Sequence, residues 1–225
     1  MSFRTKLLSA GILISTLATP ALADSNNSND GKGFYGVLSV GLSDVTGTDW
    51  ETDISGTKYG GDAPVDAGFL GEIGVGYDFG KWRTDLTFEN GGGDLGECTE
   101  DKNAGTTCTN SGDLVTNTFM LNGYYDFPTD SKWSPYLGAG IGQTTLETDQ
   151  LTIGGTKYEL DKDDVFLYQL KAGVAYPVSV KTDLFAEAAY KVYDDYSTGV
   201  KNSSVNFKLK NTTEWAAKIG VRYMF

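Results

Sequence analysis

The last stretch of the chain, Thr212 to Phe225, alternates strictly. Trp215, Ala217, Ile219, Val221, Tyr223 and Phe225 are apolar, and Ala216, Lys218, Gly220, Arg222 and Met224 lie between them. A period of two sends successive side chains to opposite faces, so the stretch is a β-strand with one apolar face. Aromatics mark both ends of that face. At about 3.4 Å per residue and a tilt near 40°, the stripe between Trp215 and Phe225 stands roughly 26 Å tall. An apolar band of about 25 Å between two aromatic girdles is what a membrane-spanning strand turns toward lipid. A soluble barrel would turn the same stripe inward.

The start of the chain reads as a leader. Arg4 and Lys6 precede an apolar core from Leu7 to Leu17, and Pro20-Ala21-Leu22-Ala23 offers an A-x-A cleavage site before Asp24. Residues 1–23 are thus a secretory signal peptide, cut between Ala23 and Asp24, and too short to span a bilayer. Residues 24–32, DSNNSNDGK, are polar and free of aromatics, which predicts a disordered periplasmic lead-in. No later run approaches the length of a membrane helix, so a membrane protein made from residues 33–225 has to be a closed barrel.

Eight alternating segments follow. They run from Gly33 to Asp44, Gly68 to Phe79, Trp82 to Asn90 and Leu114 to Phe127, then from Ser134, to about Tyr176, from Thr182 to Tyr193, and over the terminal stretch. Their connections alternate in length. The links at Gly80, Pro128 and Pro177 are short, and those near 46–67, 91–113, 147–163 and 194–211 are long. Short turns at one end and long loops at the other are the asymmetry of a barrel with a periplasmic and an outer side. The expected fold is all-β: a single eight-stranded antiparallel up-and-down transmembrane β-barrel, with both termini periplasmic.

The segments GFYGVLSVGLS, GVGYDFGKWRTDLTFE, LNGYYDF, WSPYLGAGIG, FLYQLKAGVAYPV, LFAEAAYKVY and GVRYMF, taken in order, resemble one family. They are similar to the small eight-stranded bacterial outer-membrane barrels: the OmpA barrel domain, OmpX and the related surface-antigen and porin-family group. The resemblance covers nearly all of the mature chain. It implies an outer-membrane location in a Gram-negative bacterium, with membrane lipid and lipopolysaccharide as surroundings. It also implies an assembly signal read at Tyr223 and Phe225 by the outer-membrane assembly machinery. The sequence ends at the eighth strand, so no cell-wall tether carries over from OmpA.

Alternation assigns Glu72, Arg83, Asp85, Glu89, Lys171, Glu187, Lys191, Lys218 and Arg222 to the lumen, four acids against five bases. Eight strands leave an interior that side chains just fill. Buried charges need partners, so these nine are expected to form an ion-paired plug; the rival reading is a narrow path for ions or small solutes. Inward Gly138, Gly140 and Gly142 should leave room for long side chains such as Arg83 or Arg222.

The outer connections hold 17 acids against seven lysines. The leader takes two of the 18 cations and none of the 30 acids, so the charge of −12 becomes −14 in the mature chain. Such a balance excludes nucleic-acid binding through phosphate contacts. Cys98 and Cys108, close together in an exported chain, predict a disulfide stapling the second outer loop. No stretch has the ligand spacing of a calcium loop. In the third loop, Gly154-Gly155 suits a tight turn. Pairing Ile153 with Thr156 sets a register in which Ile141 meets Tyr168 and Leu137 meets Ala172, so this hairpin should project beyond the membrane. Phe207 and Leu209 share the parity of Trp215, which places the start of the last strand near Val205. Projecting edges could receive a surface protein partner.

Chemistry is the poorest signal. The chain has no histidine. Without imidazole a serine nucleophile would need an activated lysine or carboxylate, and no motif marks one. The reading is therefore of a non-enzyme with no cofactor and no metal, in a structural or surface-recognition (adhesin- or antigen-like) role.

Overall fold

Apolar residues on one face of each long segment and polar residues on the other make a sheet that closes on itself. The computed structural model describes residues 32–46, 48–54, 57–62, 65–94, 99–100, 113–148, 151–153, 156–158, 163–200 and 206–225. The strands are β1 (Gly33–Thr46), β2 (Asp49–Ile54), β3 (Thr57–Asp62), β4 (Val65–Asp78), β5 (Trp82–Asp94), β6 (Thr99–Glu100), β7 (Asp113–Asp126) and β8 (Ser134–Thr148). They continue as β9 (Leu151–Ile153), β10 (Thr156–Tyr158), β11 (Asp163–Pro177), β12 (Thr182–Tyr193), β13 (Tyr196–Gly199), β14 (Asn206–Lys210) and β15 (Thr213–Met224). Eight of them form the closed antiparallel barrel β1-β15-β12-β11-β8-β7-β5-β4. These are the eight expected segments, each within a few residues of its expected ends.

The outward face is the one the alternation assigned to lipid. Phe34, Leu38, Val40, Phe69, Ile73, Trp82, Phe119, Leu170, Trp215 and Ile219 are all exposed. Aromatic pairs gird the short-turn rim, with Phe34 against Tyr77 at 5.0 Å and Trp82 against Tyr125 at 4.8 Å. The β4–β5 turn is tight because Gly80 takes φ 106°, open to a residue without Cβ, and its amide donates to Asp78 Oδ1 at 2.7 Å.

Inside, the glycines serve neighbours other than those expected. An added Cβ at Gly138, Gly140 or Gly142 would meet Tyr124, Asn122 or Met120 respectively. Those three side chains stand on β7 directly opposite the glycines in the β7–β8 ladder. The space therefore belongs to cross-strand partners and not to Arg83 or Arg222.

The long connections are more ordered than loops. Five short strands form a second sheet, β13-β14-β2-β3-β6, and β9 pairs with β10. Four of the outer ladders keep the register of the barrel ladder below them. Thr46 faces Thr213 in β1–β15, and three residues further along both strands Asp49 faces Lys210 in β2–β14. Val192 faces Thr213, and four residues on Tyr196 faces Leu209. Phe69 faces Gly92, and seven residues on Asp62 faces Thr99. Leu146 faces Asp163, and five residues on Leu151 faces Tyr158. The second sheet is the barrel wall carried upward. The register expected for the third connection holds on both sides of residues 149–150 and 159–162, which lie outside the described residues.

The last strand departs from expectation. It is interrupted at Asn211–Thr212, where Asn211 has φ 56°. Left-handed backbone at this residue offsets the alternation, so residues of the same parity take opposite faces in β14 and β15. On β15 the odd-numbered residues from Trp215 onward are exposed; on β14 Asn206 and Lys208 are exposed while Phe207 and Leu209 are half-buried. Phe207 packs edge-on against Trp50 of β2 at 5.9 Å. Parity with Trp215 is therefore lost above the break, and Val205 lies outside the described residues.

Candidate functional site: the charged lumen and the outer sheet

Alternate residues of the barrel strands point inward, and the interior they build is layered. At the short-turn end Arg83 grips Asp126 with two parallel bonds, Nε to Oδ2 at 2.6 Å and Nη2 to Oδ1 at 2.9 Å. Its guanidinium lies over the rings of Tyr124 and Tyr136, 4.6 and 4.9 Å from their centroids. Arg222 donates from Nε and Nη2 to Asp183 Oδ2 at 3.0 and 2.6 Å.

The middle layer centres on Glu72 and Glu187. Lys218 Nζ lies 2.9 Å from Glu72 and 3.2 Å from Glu187, and Lys171 Nζ lies 3.4 and 3.2 Å from the same two carboxylates. Tyr136 donates to Glu187 Oε2 at 3.1 Å. Asp85 is held by neutral donors: Asn122 Nδ2 at 2.8 Å and the Tyr35 hydroxyl at 3.0 Å. Gln169 Nε2 in turn donates to Asn122 Oδ1 at 2.6 Å.

Above this, Lys191 bridges Glu89 and Glu214, the latter at 2.9 Å, and the Tyr193 hydroxyl also donates to Glu214. An apolar layer closes the stack. Met120, Val165, Leu167 and Tyr193 cluster there, with Leu146 and Tyr196 packed against them. Tyr196 belongs to β13, so the buried face of the outer sheet reaches the lumen's own apolar cap. Burying this many charges is tolerable only because each cation meets carboxylates at contact distance in a low-dielectric interior. Near the Arg83 layer, the space among Tyr35, Glu72, Arg83, Tyr136 and Arg222 amounts to a cavity of about 20 Å³, room for roughly one water.

All nine expected lumen residues point inward. Glu72, Arg83, Asp85, Glu89, Lys171, Glu187, Lys191 and Lys218 are buried, and Arg222 is half-buried. The near-neutral balance does not hold. Glu214, Asp78, Asp126 and Asp183 also face the lumen, so carboxylates outnumber cations eight to five. Parity gives all four: Glu214 is in step with Lys218, Asp78 with Glu72, Asp126 with Asn122 and Asp183 with Glu187.

On the solvent face of the outer sheet, Glu51, Asp53, Lys58, Ser197, Asn206 and Lys208 are exposed. The ladders set Lys208 opposite Glu51 and Lys58 opposite Asp53. Lys210 Nζ bonds Glu51 Oε2 at 2.7 Å, and Asn211 Nδ2 donates to Asp49 Oδ2 at 2.9 Å. The bond from Lys210 holds the Glu51 carboxyl below the usual glutamate range and, reciprocally, raises the Lys210 ammonium.

At the other rim Tyr223 and Phe225 are exposed with their rings 5.9 Å apart, and the Phe225 amide donates to Phe34 O at 3.0 Å. Cys98 and Cys108, the cleavage site at Ala23 and Asp24, and the lead-in through residue 31 lie outside the described residues. No group of acidic or thiol side chains that could hold a metal ion occurs among the described residues.

A family model described as the outer membrane protein beta-barrel domain matches residues 9–225. The chain belongs to this family. Its place is the outer membrane, and the short-turn rim is the periplasmic one. A curated relative, outer membrane protein PagN of Salmonella typhimurium, is 29% identical over 76 residues, a match spanning 33% of this chain and 32% of PagN. Among solved structures, Neisserial surface protein A is similar at 21% identity and a TM-score of 0.52, over 86% of this chain and 97% of that one. The outer membrane protease OmpT of Escherichia coli is similar at 7% identity and 0.51, over 90% and 99%. Likeness at this level shows a shared fold alone.

Proposed function

We propose that this barrel is a surface-recognition protein of the outer membrane whose lumen is sealed by its charge network, and whose contact surface is the outer sheet. One observation carries the reading: the wall continues past the membrane, in register, above an interior packed with ion pairs and capped by apolar side chains. A solute path needs continuous water. Here Lys171, Lys191 and Lys218 each bridge two or more carboxylates across the bore. The solvent face of the outer sheet, by contrast, offers alternating acids and lysines on a paired, ordered backbone. That is a surface suited to a protein partner through charge and shape complementarity. Membrane lipid and lipopolysaccharide surround the barrel, and Tyr223 and Phe225 remain available at the periplasmic rim to the assembly machinery. In this reading there is no catalytic step, and no cofactor takes part.

The test is display of the full chain on bacteria that do not otherwise adhere, scored on host cells or matrix. Glu51→Gln, Lys208→Gln and Lys210→Gln together should abolish adhesion, while Lys191→Met inside the lumen leaves it intact. Adhesion indifferent to the sheet, with solute uptake that responds to Lys191→Met, would favour the narrow channel instead.

A further inference from the structure

The acidic chain carries a basic rim. Lys32, Lys81, Lys132 and Lys181 stand at the start of β1 and in the three short turns, and all four are exposed. Each neighbours an exposed apolar side chain at the same rim: Phe34, Trp82, Trp133 and Val180 respectively. Most carboxylates there are engaged. Asp126 holds Arg83, Asp183 holds Arg222, and Asp78 accepts the Gly80 amide. The exposed acidic side chain left at the rim among the described residues is Asp130, two residues from Lys132.

The four lysines are not equivalent. A Cβ placed on Gly80 would lie 3.5 Å from Lys32 Cε, so Lys32 lies along the very turn that carries Lys81. Two linked aromatic groups of the rim adjoin this pair, Phe34–Tyr77–Phe79 and Trp82–Tyr125–Phe127. Phe34 meets Tyr77 at 5.0 Å, Tyr77 meets Phe79 at 4.6 Å, and Trp82 follows Lys81 directly. Two cations above a ledge of interfacial rings match a phosphate-bearing headgroup above its glycerol and upper acyl carbons.

We propose that the corner formed by Lys32, Lys81, Phe34, Tyr77, Phe79 and Trp82 binds an anionic phospholipid of the periplasmic leaflet. The ammonium groups take the phosphate, and the rings carry the apolar shoulder of the lipid. The site fixes the height of the barrel on the side where β1, β4 and β5 meet, and does so independently of the outer sheet.

The experiment reconstitutes residues 24–225 in bilayers of equal parts phosphatidylethanolamine and phosphatidylglycerol. Lipid retained after gentle detergent extraction is then counted by native mass spectrometry. The wild type should retain phosphatidylglycerol preferentially. Lys32→Gln with Lys81→Gln should lower that preference about 25-fold, at about five-fold per lysine, whereas Lys132→Gln with Lys181→Gln should change it far less. All four side chains are exposed, and the gel shift of the folded barrel on heating verifies that each variant is native. A preference unchanged by the Lys32/Lys81 pair, or lowered equally by the Lys132/Lys181 pair, overturns the proposal. So would binding of these lysines to soluble peptidoglycan fragments in place of lipid.

Discussion

Lys218 on β15 reaches past β1 to Glu72 on β4, and the ammonium and carboxylate meet at 2.9 Å with both side chains almost wholly buried. The two strands are not neighbours, so the bond ties the seam where the first and last strands close the barrel. Glu72 also receives Lys171, and Lys218 also meets Glu187 and Glu89. Removing one partner leaves the others charged, buried and short of a counter-ion. Lys218→Met should therefore destabilise the folded barrel by about 3–5 kcal/mol, read as a lower urea midpoint in lipid vesicles. The double variant Lys218→Met with Glu72→Gln should lose less than the two single losses added together.

Gly142 makes a packing prediction of a different kind. A Cβ there would overlap the Phe119 carbonyl and the Met120 thioether across the ladder. The carbonyl belongs to the wall and cannot swing away. Gly142→Ala should cost about 1–3 kcal/mol by overpacking, whereas Gly123→Ala on the lipid face, where an added Cβ meets nothing within 4 Å, should be near neutral. The same unfolding titration checks both.

Asn211 holds the break between wall and outer sheet at φ 56°. Asparagine tolerates this region, glycine does so more freely, and a β-branched residue resists it. Asn211→Gly should preserve hydrogen-exchange protection in β14, and Asn211→Val should abolish it while β15 stays protected.

The Lys210–Glu51 bond links β14 to β2 on the solvent face. Glu51 is depressed and Lys210 raised by the same contact. The glutamate's contribution is present above its unfolded pKa and is lost as pH falls through the lowered folded value. The lysine's contribution is present below its unfolded pKa and is lost as pH rises through the raised one. Amide protection in β2 and β14 should thus be flat across neutral pH and fall in acid below the ordinary glutamate range; Glu51→Gln removes the acid limb. Unfolding of the barrel itself should not follow this profile.

Period-two alternation was enough to read the eight barrel strands, because one face of each meets lipid and the other meets a filled bore. The same rule extends to the outer sheet. Trp50, Thr52 and Ile54 alternate with Asp49, Glu51 and Asp53, and Phe207 and Leu209 with Lys208 and Lys210, which is strand patterning. Weighed as charge, these stretches looked like acidic loops; weighed by period, they are the outer sheet. Glu214 was legible by parity with Lys218 but stands near the strand's start, where Thr212 and Thr213 blur the pattern. What no local rule reveals is the inversion at Asn211. Nothing in the alternation of Phe207 and Leu209 says which side of the wall they take, because that is decided by Tyr196 and Trp50 packing from other strands. The glycines opposite Tyr124, Asn122 and Met120 depend likewise on cross-strand register.

Single-channel recording distinguishes a sealed lumen from an open one. Residues 24–225, refolded and inserted in a planar bilayer, should give no steady conductance. Arg222→Ala at the half-buried periplasmic layer should leave it silent, because the layers of Lys171, Lys191 and Lys218 stand above. Steady conductance in the wild type, altered in size or selectivity by Arg222→Ala or Glu72→Ala, would contradict the account and make the charge network the lining of a path.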